Sequence, residues 1–147
     1  MIDKANLSDL KGILEIENSS FTNDRFSGRQ FKYLLTKASS VVKVIRSDKK
    51  IYAYLILLHR KDSKKIRIYS IAVHPQSRGM GFAGKLLEFT EHYAKIHKFT
   101  HIHLEVRSDN KSAISLYEKS KFCKSGIIKG YYQDGTDAII MSRKTST

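Results

Sequence analysis

The sequence predicts a mixed α/β (α+β) fold: a mostly antiparallel central sheet of about six to seven strands, with about four helices on its two faces. Apolar residues first recur at helical spacing, then alternate along three β-branched-rich runs. From Ala83 onward helical spacing returns, is broken by one alternating strand, and ends in two further strands. The chain has a single proline, no low-complexity tract and no repeat, so residues 1–147 are expected to form one domain.

The first helix should follow Asn6 or Ser8, with Leu7, Leu10, Ile13, Leu14 and Ile16 close to a 3.6-residue period. Ser27-Gly28-Arg29-Gln30 has the form of a capping box, and Phe31, Leu34 and Leu35 give the helix behind it an apolar face. Val41–Ile45, Ile51–Leu58 and Ile66–Val73 are rich in β-branched and aromatic residues and are separated by charged turns, as in a three-stranded meander. After Pro75, a stripe of Ala83, Leu86, Leu87, Thr90, Tyr93, Ala94 and His97 marks a core-facing helix. Ile102, Leu104 and Val106 then alternate as a strand, with His101, His103 and Glu105 on its other face. A helix over about residues 110–120 follows. Strands at about Phe122–Tyr131 and Thr136–Ser142, joined by Gln133-Asp134-Gly135, complete the order.

A chain of this length buries roughly 70% of its unfolded surface, enough for a substantial core. No apolar run approaches the roughly 20 residues of a membrane span, and Met1-Ile2-Asp3-Lys4 lacks a signal-peptide pattern. Cys123 is the only cysteine, which excludes an intramolecular disulfide and a four-cysteine zinc site. A cytoplasmic protein is expected. The formal net charge is +13, spread along both halves of the chain. It reads either as a solvated basic surface or as attraction to a polyanion, with no specific nucleic acid implied.

Two regions carry chemistry. Glu105, near the end of a strand, and Tyr117, one to two turns into the next helix, can face one cleft. Glu105 could equally be paired with Arg107, and Tyr117 could be a core residue at helical spacing from Ala113 and Leu116. The other region is Arg78-Gly79-Met80-Gly81-Phe82-Ala83-Gly84, where a strand runs into a helix. Its glycines let a ligand approach the backbone, and the unpaired amides of a helix N-terminus attract an anion. The turn lacks the Gly-Lys-Ser/Thr of a Walker loop and the spacing of the dinucleotide fingerprint. Tight packing of helix on sheet would also explain the glycines.

Arg78-x-x-Gly81-x-Ala83, placed after Val73-x-Pro75 and before Leu86-Leu87, resembles the [Gln/Arg]-x-x-Gly-x-[Gly/Ala] signature of the GCN5-related N-acetyltransferases. Leu104-Glu105-Val106-Arg107, Asn110-x-x-Ala113-x-x-Leu116-Tyr117-Glu118, Gly130-Tyr131-Tyr132, Asp134-Gly135 and Asp137–Met141 are similar to the RimI subfamily. The likeness is dense from Ile71 to Met141 and thin before it. It implies the GNAT fold and transfer of an acetyl group from acetyl-CoA, the co-substrate, to a protein N-terminus. A ribosomal protein, S18, is the subfamily's bacterial type of acceptor.

The resemblance further implies that Arg78, Gly79, Met80, Gly81, Phe82 and Ala83 hold the pyrophosphate. Ile71, Ala72 and Val73 would bind the pantetheine and acetyl group through their main chain, with Asn110 and Ala113 also touching the coenzyme. It makes Glu105 the general base and Tyr117 the general acid of a direct transfer in a ternary complex. Phe21, Tyr131 and Tyr132 would line the acceptor groove. Asn110 can also act as an N-cap, and one of the two tyrosines could be an inward strand residue. No metal is expected: His101, His103 and Glu105 on one strand rarely enclose an ion, and Cys123 has no nucleophilic step to perform.

Two departures stand out. Lys121-Phe122 replaces the family's Gly-Phe at a left-handed helix end, at about 1 kcal/mol. Phe21-Thr22-Asn23-Asp24-Arg25-Phe26 lacks the Pro-Trp usual near the acceptor groove, which bears on substrate and not on reaction. The rival expectations are a transferase for a lysine side chain or a polyamine, and a non-catalytic, basic module for RNA or ribosomes.

Overall fold

A computed structural model of the chain describes residues 2–20, 28–37, 39–48 and 50–145. Its strands are β1 (Ile2–Lys4), β2 (Ser40–Ser47), β3 (Lys50–His59), β4 (Lys65–Val73), β5 (His101–Arg107), β6 (Cys123–Ile128) and β7 (Ala138–Lys144). The helices are α1 (Leu10–Ser20), α2 (Gly28–Thr36), α3 (Phe82–Ile96) and α4 (Lys111–Lys119). All seven strands join one sheet in the order β1-β2-β3-β4-β5-β7-β6. Every pairing is antiparallel except that of β4 with β5.

Alternation sorts the side chains into two cores. Ala53, Leu55 and Leu57 of β3 join Leu86, Leu87, Ile102, Leu104 and Ile114 on the α3/α4 face. Tyr54 and Ile56 turn the other way, to Ile13, Ile16, Phe31 and Leu34 of α1 and α2. Each such aliphatic side chain contributes roughly 1.5–3 kcal/mol by leaving water. The buried Tyr54 hydroxyl donates to the Glu17 carboxylate and lies 2.8 Å from Ser70 Oγ, so burial of these polar groups is compensated. Gly12 permits the close approach of α1 to β3: a Cβ there would stand 2.6 Å from Ile51 Cγ1.

The parallel pairing is short. It covers only Lys65–Arg67 against His101–His103, although β4 continues to Val73 and β5 to Arg107. The register of β3 on β4 jumps from Ile56↔Ser70 to Leu57↔Ile68, which leaves Tyr69 as an extra residue in β4. Such a bulge bends its strand. It lies just beyond the last parallel pair, where β4 and β5 part. Alternate backbone groups of Ser70–Val73 therefore face the gap and not a neighbouring strand.

The two C-terminal helices, α3 and α4, end in the same way. Lys98 (φ 62°) and Lys121 (φ 71°) occupy the left-handed region. Phe99 N–H donates to Ala94 C=O at 2.8 Å and Lys98 N–H to Lys95 C=O at 3.3 Å. Phe122 N–H donates to Tyr117 C=O at 2.9 Å and Lys121 N–H to Glu118 C=O at 3.0 Å. These are Schellman motifs with lysine where glycine is favoured. Lys98→Gly and Lys121→Gly should each raise stability by about 0.5–1 kcal/mol, less than the full handedness penalty because glycine loses more backbone entropy. Thermal unfolding of the two single variants and the double variant checks this and should show near-additive gains.

The element order matches expectation with three corrections. β1 was not foreseen; it is an edge strand of three residues with one apolar side chain, too short for a period to register. Its Asn6 follow-on is a short 3-10 turn at Leu7–Asp9, with a capping box in which Asn6 N–H donates to Asp9 Oδ2 at 2.9 Å. The last two strands are shorter at the hairpin than predicted, and residues 129–137 form a longer connection. Asp137 accepts from Gly130 N–H at 3.0 Å and from Lys129 Nζ at 3.2 Å, so side-chain bonds close this loop in place of strand pairing. The Ser27 capping box and Phe21–Phe26 lie outside the described residues, Phe21 included.

Candidate active site

The glycine-rich turn stands where β4 delivers it. His74 Nδ1 accepts from Gln76 N–H at 3.1 Å and starts a 3-10 turn over Pro75–Ser77. Arg78 is exposed and extended, and Gly79 and Gly81 both have φ of 81°, which L side chains rarely adopt. Gly81 is the N-cap of α3 and provides no side-chain cap, so the first-turn amides have no hydrogen-bond acceptor from it. A Cβ at Gly79, Gly81 or Gly84 would meet nothing within 4 Å. The glycines thus serve backbone conformation and access, not tight packing.

Phe82 departs from its sister residues. Its ring is buried and stacks on Tyr52 with centroids 5.4 Å apart, so only its amide faces the turn. Met80 is exposed. The geometry fits a pyrophosphate: an open set of amides at the positive end of a 15-residue helix, with exposed Arg78 in the turn that leads into it. Gly81→Val should raise the KM for a pyrophosphate-bearing co-substrate at least tenfold. The strained left-handed valine would lower thermal stability by only about 1–2 kcal/mol.

Ile71, Ala72 and Val73 lie on the stretch of β4 past the Tyr69 bulge, between the turn and the strand gap. Asn110 caps α4 and its Oδ1 accepts from Ala113 N–H at 3.2 Å. The cap role foreseen for it is therefore real, and its amide NH2 is left to reach a ligand.

Glu105 and Tyr117 do not share one face of the sheet. Tyr117 belongs to the α3/α4 core with Leu104 and Val106, whose neighbour Glu105 points the opposite way. Past Arg67↔His103, β4 and β5 are no longer paired. Tyr117 is 8% exposed, and burial, then the charge of Tyr132, push its phenol up to about 12. The phenol is therefore protonated at every physiological pH. Its ring packs edge-on against Phe122, centroids 5.9 Å apart, which is the hydrophobic contact of the Schellman motif.

Glu105 forms an ion pair, but with Arg67 of β4 and not with Arg107. Arg67 also donates from Nη2 to Tyr131 Oη at 3.3 Å and lies over the Tyr69 ring at 5.5 Å. Tyr69 Oη in turn accepts from Gln30 Nε2 of α2 at 3.2 Å. Arg107 is engaged elsewhere: it donates to Asp109 and, at 2.7 Å, to Asp134, and lies 5.0 Å from the Tyr132 ring centroid. Those bonds raise Arg107 and hold Asp134 well below the usual carboxylate range. His103, on the Glu105 face, is pushed down chiefly by burial; Glu105 opposes this, and Arg67 and Lys65 add to it, so its imidazole is neutral at pH 7.

Tyr131 and Tyr132 sit in the β6–β7 connection, not in a strand, with ring centroids 5.0 Å apart. Among the described residues the α1/α2 core draws on β2–β4 and takes no residue from β5, β6 or β7. Among the described residues this leaves a shelf on that face, with Glu105 (side chain 13% exposed) and His103 on it and Arg67, Tyr69 and Tyr131 beside it. Arg67, Tyr69 and His103 are residues that sequence reasoning did not select; their signal was their place on the polar face of β4 and β5. Among the described residues no group of three His, Cys, Asp or Glu side chains could hold a metal ion. Nor is any helix there long and apolar enough to cross a membrane.

A family model described as the acetyltransferase (GNAT) family matches residues 10–122. An N-alpha-acetyltransferase of Saccharolobus solfataricus is 44% identical over 81 residues, 54% of this chain and 48% of that protein, so the match spans about half its length. A Bacillus subtilis relative, provisionally named a [ribosomal protein bS18]-alanine N-acetyltransferase, is 32% identical over 92% of this chain and 89% of its own. The crystal structure of the ribosomal-protein-S18-alanine N-acetyltransferase from Escherichia coli superposes with a TM-score of 0.86 at 27% identity. That likeness covers 100% of this chain and 94% of the other.

Proposed function

We propose that this chain, which belongs to the acetyltransferase (GNAT) family, acetylates the α-amino group of a protein N-terminus by direct transfer from acetyl-CoA in a ternary complex. The observation that carries this reading is the parting of β4 and β5 past Arg67↔His103, with the Glu105 carboxylate on β5 and the protonated Tyr117 phenol on α4, the helix that follows it.

Acetyl-CoA, when bound, supplies a thioester carbonyl. The amides of residues 79–83 and the Arg78 side chain hold its pyrophosphate. The main chain of Ile71, Ala72 and Val73 holds the pantetheine, and Asn110 and Ala113 close its flank. Glu105 takes a proton from the amine through a water as the N–C bond forms. Tyr117 gives its proton to sulfur as the C–S bond breaks, and recovers one from solvent. An α-amine, with a pKa of about 7.7–8.0, is partly neutral near pH 7.5, whereas lysine at about 10.4 would require roughly 4 kcal/mol more help. A carboxylate held beside a guanidinium suits the lighter task.

Tyr131 and Tyr132 wall the acceptor shelf, and Phe21 is assigned to the same groove from the resemblance. Arg67, Arg107 and Lys65 around the shelf disfavour a polycation such as a polyamine. The relatives named for S18-alanine acetylation support a ribosomal-protein N-terminus as acceptor. The test is acetyl-CoA turnover against N-terminal peptides, the S18 N-terminus among them, beside N-blocked lysine peptides and spermidine. At least a tenfold preference in kcat/KM for free N-termini is expected; equal or better turnover of lysine or spermidine would sink the assignment.

A further inference from the structure

At the far end of α3 from the glycine turn, about 21 Å along the helix at 1.5 Å per residue, lies a second cleft of about 290 Å³. Lys61, Lys64 and Lys98 line it together with His59 and His97, and no carboxylate does. Among the described residues none of the three lysines has an ion-pair partner. The nearest acid in sequence, Asp62, stands in the same turn outside the lining. Like charges gathered without counter-charges repel one another, and nothing in the fold requires them here: the turn between β3 and β4 would close equally well on neutral residues.

The wall is not cationic alone. His97 lies against Tyr93 with ring centroids 4.1 Å apart, and His59 against Phe99 at 5.0 Å. Flat π-surfaces beside unpaired lysines are what a nucleotide unit uses: cations for its phosphate and a ring face for its base. A free phosphate or an acidic peptide would engage the lysines and leave the rings idle. A duplex would keep its base faces stacked within itself. The volume sits at the low end of ligand clefts, roughly 300 Å³, and admits one nucleotide unit. The net charge of +13 would draw a polyanion to it from a distance.

We infer that the Lys61/Lys64/Lys98 cleft binds single-stranded nucleic acid through its phosphates, with a base against the His97–Tyr93 or His59–Phe99 pair, at a site separate from the acetyl-transfer gap. The 2′-hydroxyl distinguishes RNA from DNA, so both strands belong in the test.

The experiment is fluorescence anisotropy of the full chain with labelled strands of about 12 nucleotides, oligo-rU and oligo-dT, beside a duplex and an oligo-aspartate peptide. Lys61→Gln/Lys64→Gln/Lys98→Gln is compared with a control that removes as many charges elsewhere, Lys4→Gln/Lys119→Gln/Lys124→Gln, and melting temperatures establish that both triple variants fold. The cleft variant should lose at least about tenfold in affinity and the control under about threefold. Its log K against log salt should flatten by roughly 2, at about 0.7 per phosphate contact on a single strand. His97→Ala should weaken strand binding and leave oligo-aspartate binding unchanged. Preference for either rU or dT supports the site and identifies its source. No strand binding by the parent at about 50 mM salt, equal losses in both triple variants, or tighter binding of duplex or peptide would overturn it. None of these readouts depends on acetyl transfer.

Discussion

Tyr117→Phe is expected to lower kcat by about 10²–10⁴-fold, the range of a positioned general acid, with little change in the KM for acetyl-CoA. The phenol is buried in the α3/α4 core. Burial pushes it up to about 12, so it arrives protonated. A weaker acid would be a poorer donor in water, yet the same burial raises the basicity of a departing thiolate, and the two shifts offset. The variant should fold normally at neutral pH, because the Tyr117 hydroxyl has no hydrogen-bond partner among the described residues and the ring contact to Phe122 survives. The phenol's folded pKa lies above its unfolded value of about 10. Its stability contribution is therefore fully present below pH 10 and is lost as pH rises towards 12. The Phe variant should consequently outlast the parent in strong alkali. Steady-state kinetics and alkaline unfolding check the two halves separately; near-normal kcat would remove Tyr117 as the acid.

Glu105→Gln should reduce kcat/KM about 10²–10³-fold at pH 7, and the deficit should shrink as pH rises past about 8, where the α-amine loses its proton unaided. Glutamine retains the shape of the side chain and can still accept a bond from Arg67, but it cannot take a proton. The groups facing this carboxylate are Arg67 from β4, His103 on its own strand and, across the ladder, Ile140 of β7. Among the described residues, neutral His103 is the only other one of these that could accept a proton, so the pH–rate profile of the variant reports how much it does. A deficit of constant size at all pH values would mean that Glu105 only positions the acceptor. A loss confined to coenzyme affinity would remove Glu105 as the base.

Periodicity carried most of the fold. The 3.6 stripe from Ala83 to His97 became α3, and the alternation of Ile102, Leu104 and Val106 became β5 facing the α3/α4 core. The turn at Arg78–Ala83 was legible because its glycines are needed for backbone shape, which only residue type can announce. Three things were not legible. A one-residue bulge at Tyr69 leaves no mark on a pattern of apolar and polar letters, yet it reverses parity along β4 just beyond its last pair with β5. The partner of Glu105 was sought two residues away, at Arg107; it came from Arg67, because the pairing of β4 with β5 is a tertiary fact and Arg67↔His103 is its last rung. The strand predicted to run to Tyr131 stops at Ile128, and an aspartate such as Asp137 that closes a loop through side-chain bonds looks in sequence like an ordinary turn residue.

The end of α4 joins two matters usually kept apart, how a helix stops and where a proton comes from. The Tyr117 carbonyl receives the closing bond from Phe122, and its ring receives the closing contact. The phenol is thereby indexed to the helix terminus and not to the strand that carries the carboxylate. Lengthening α4 by one residue, or moving Phe122, would shift the donor and leave the acceptor shelf untouched. The position of the proposed proton donor is therefore set by a punctuation mark in the backbone, written with a lysine that the left-handed position tolerates rather than favours.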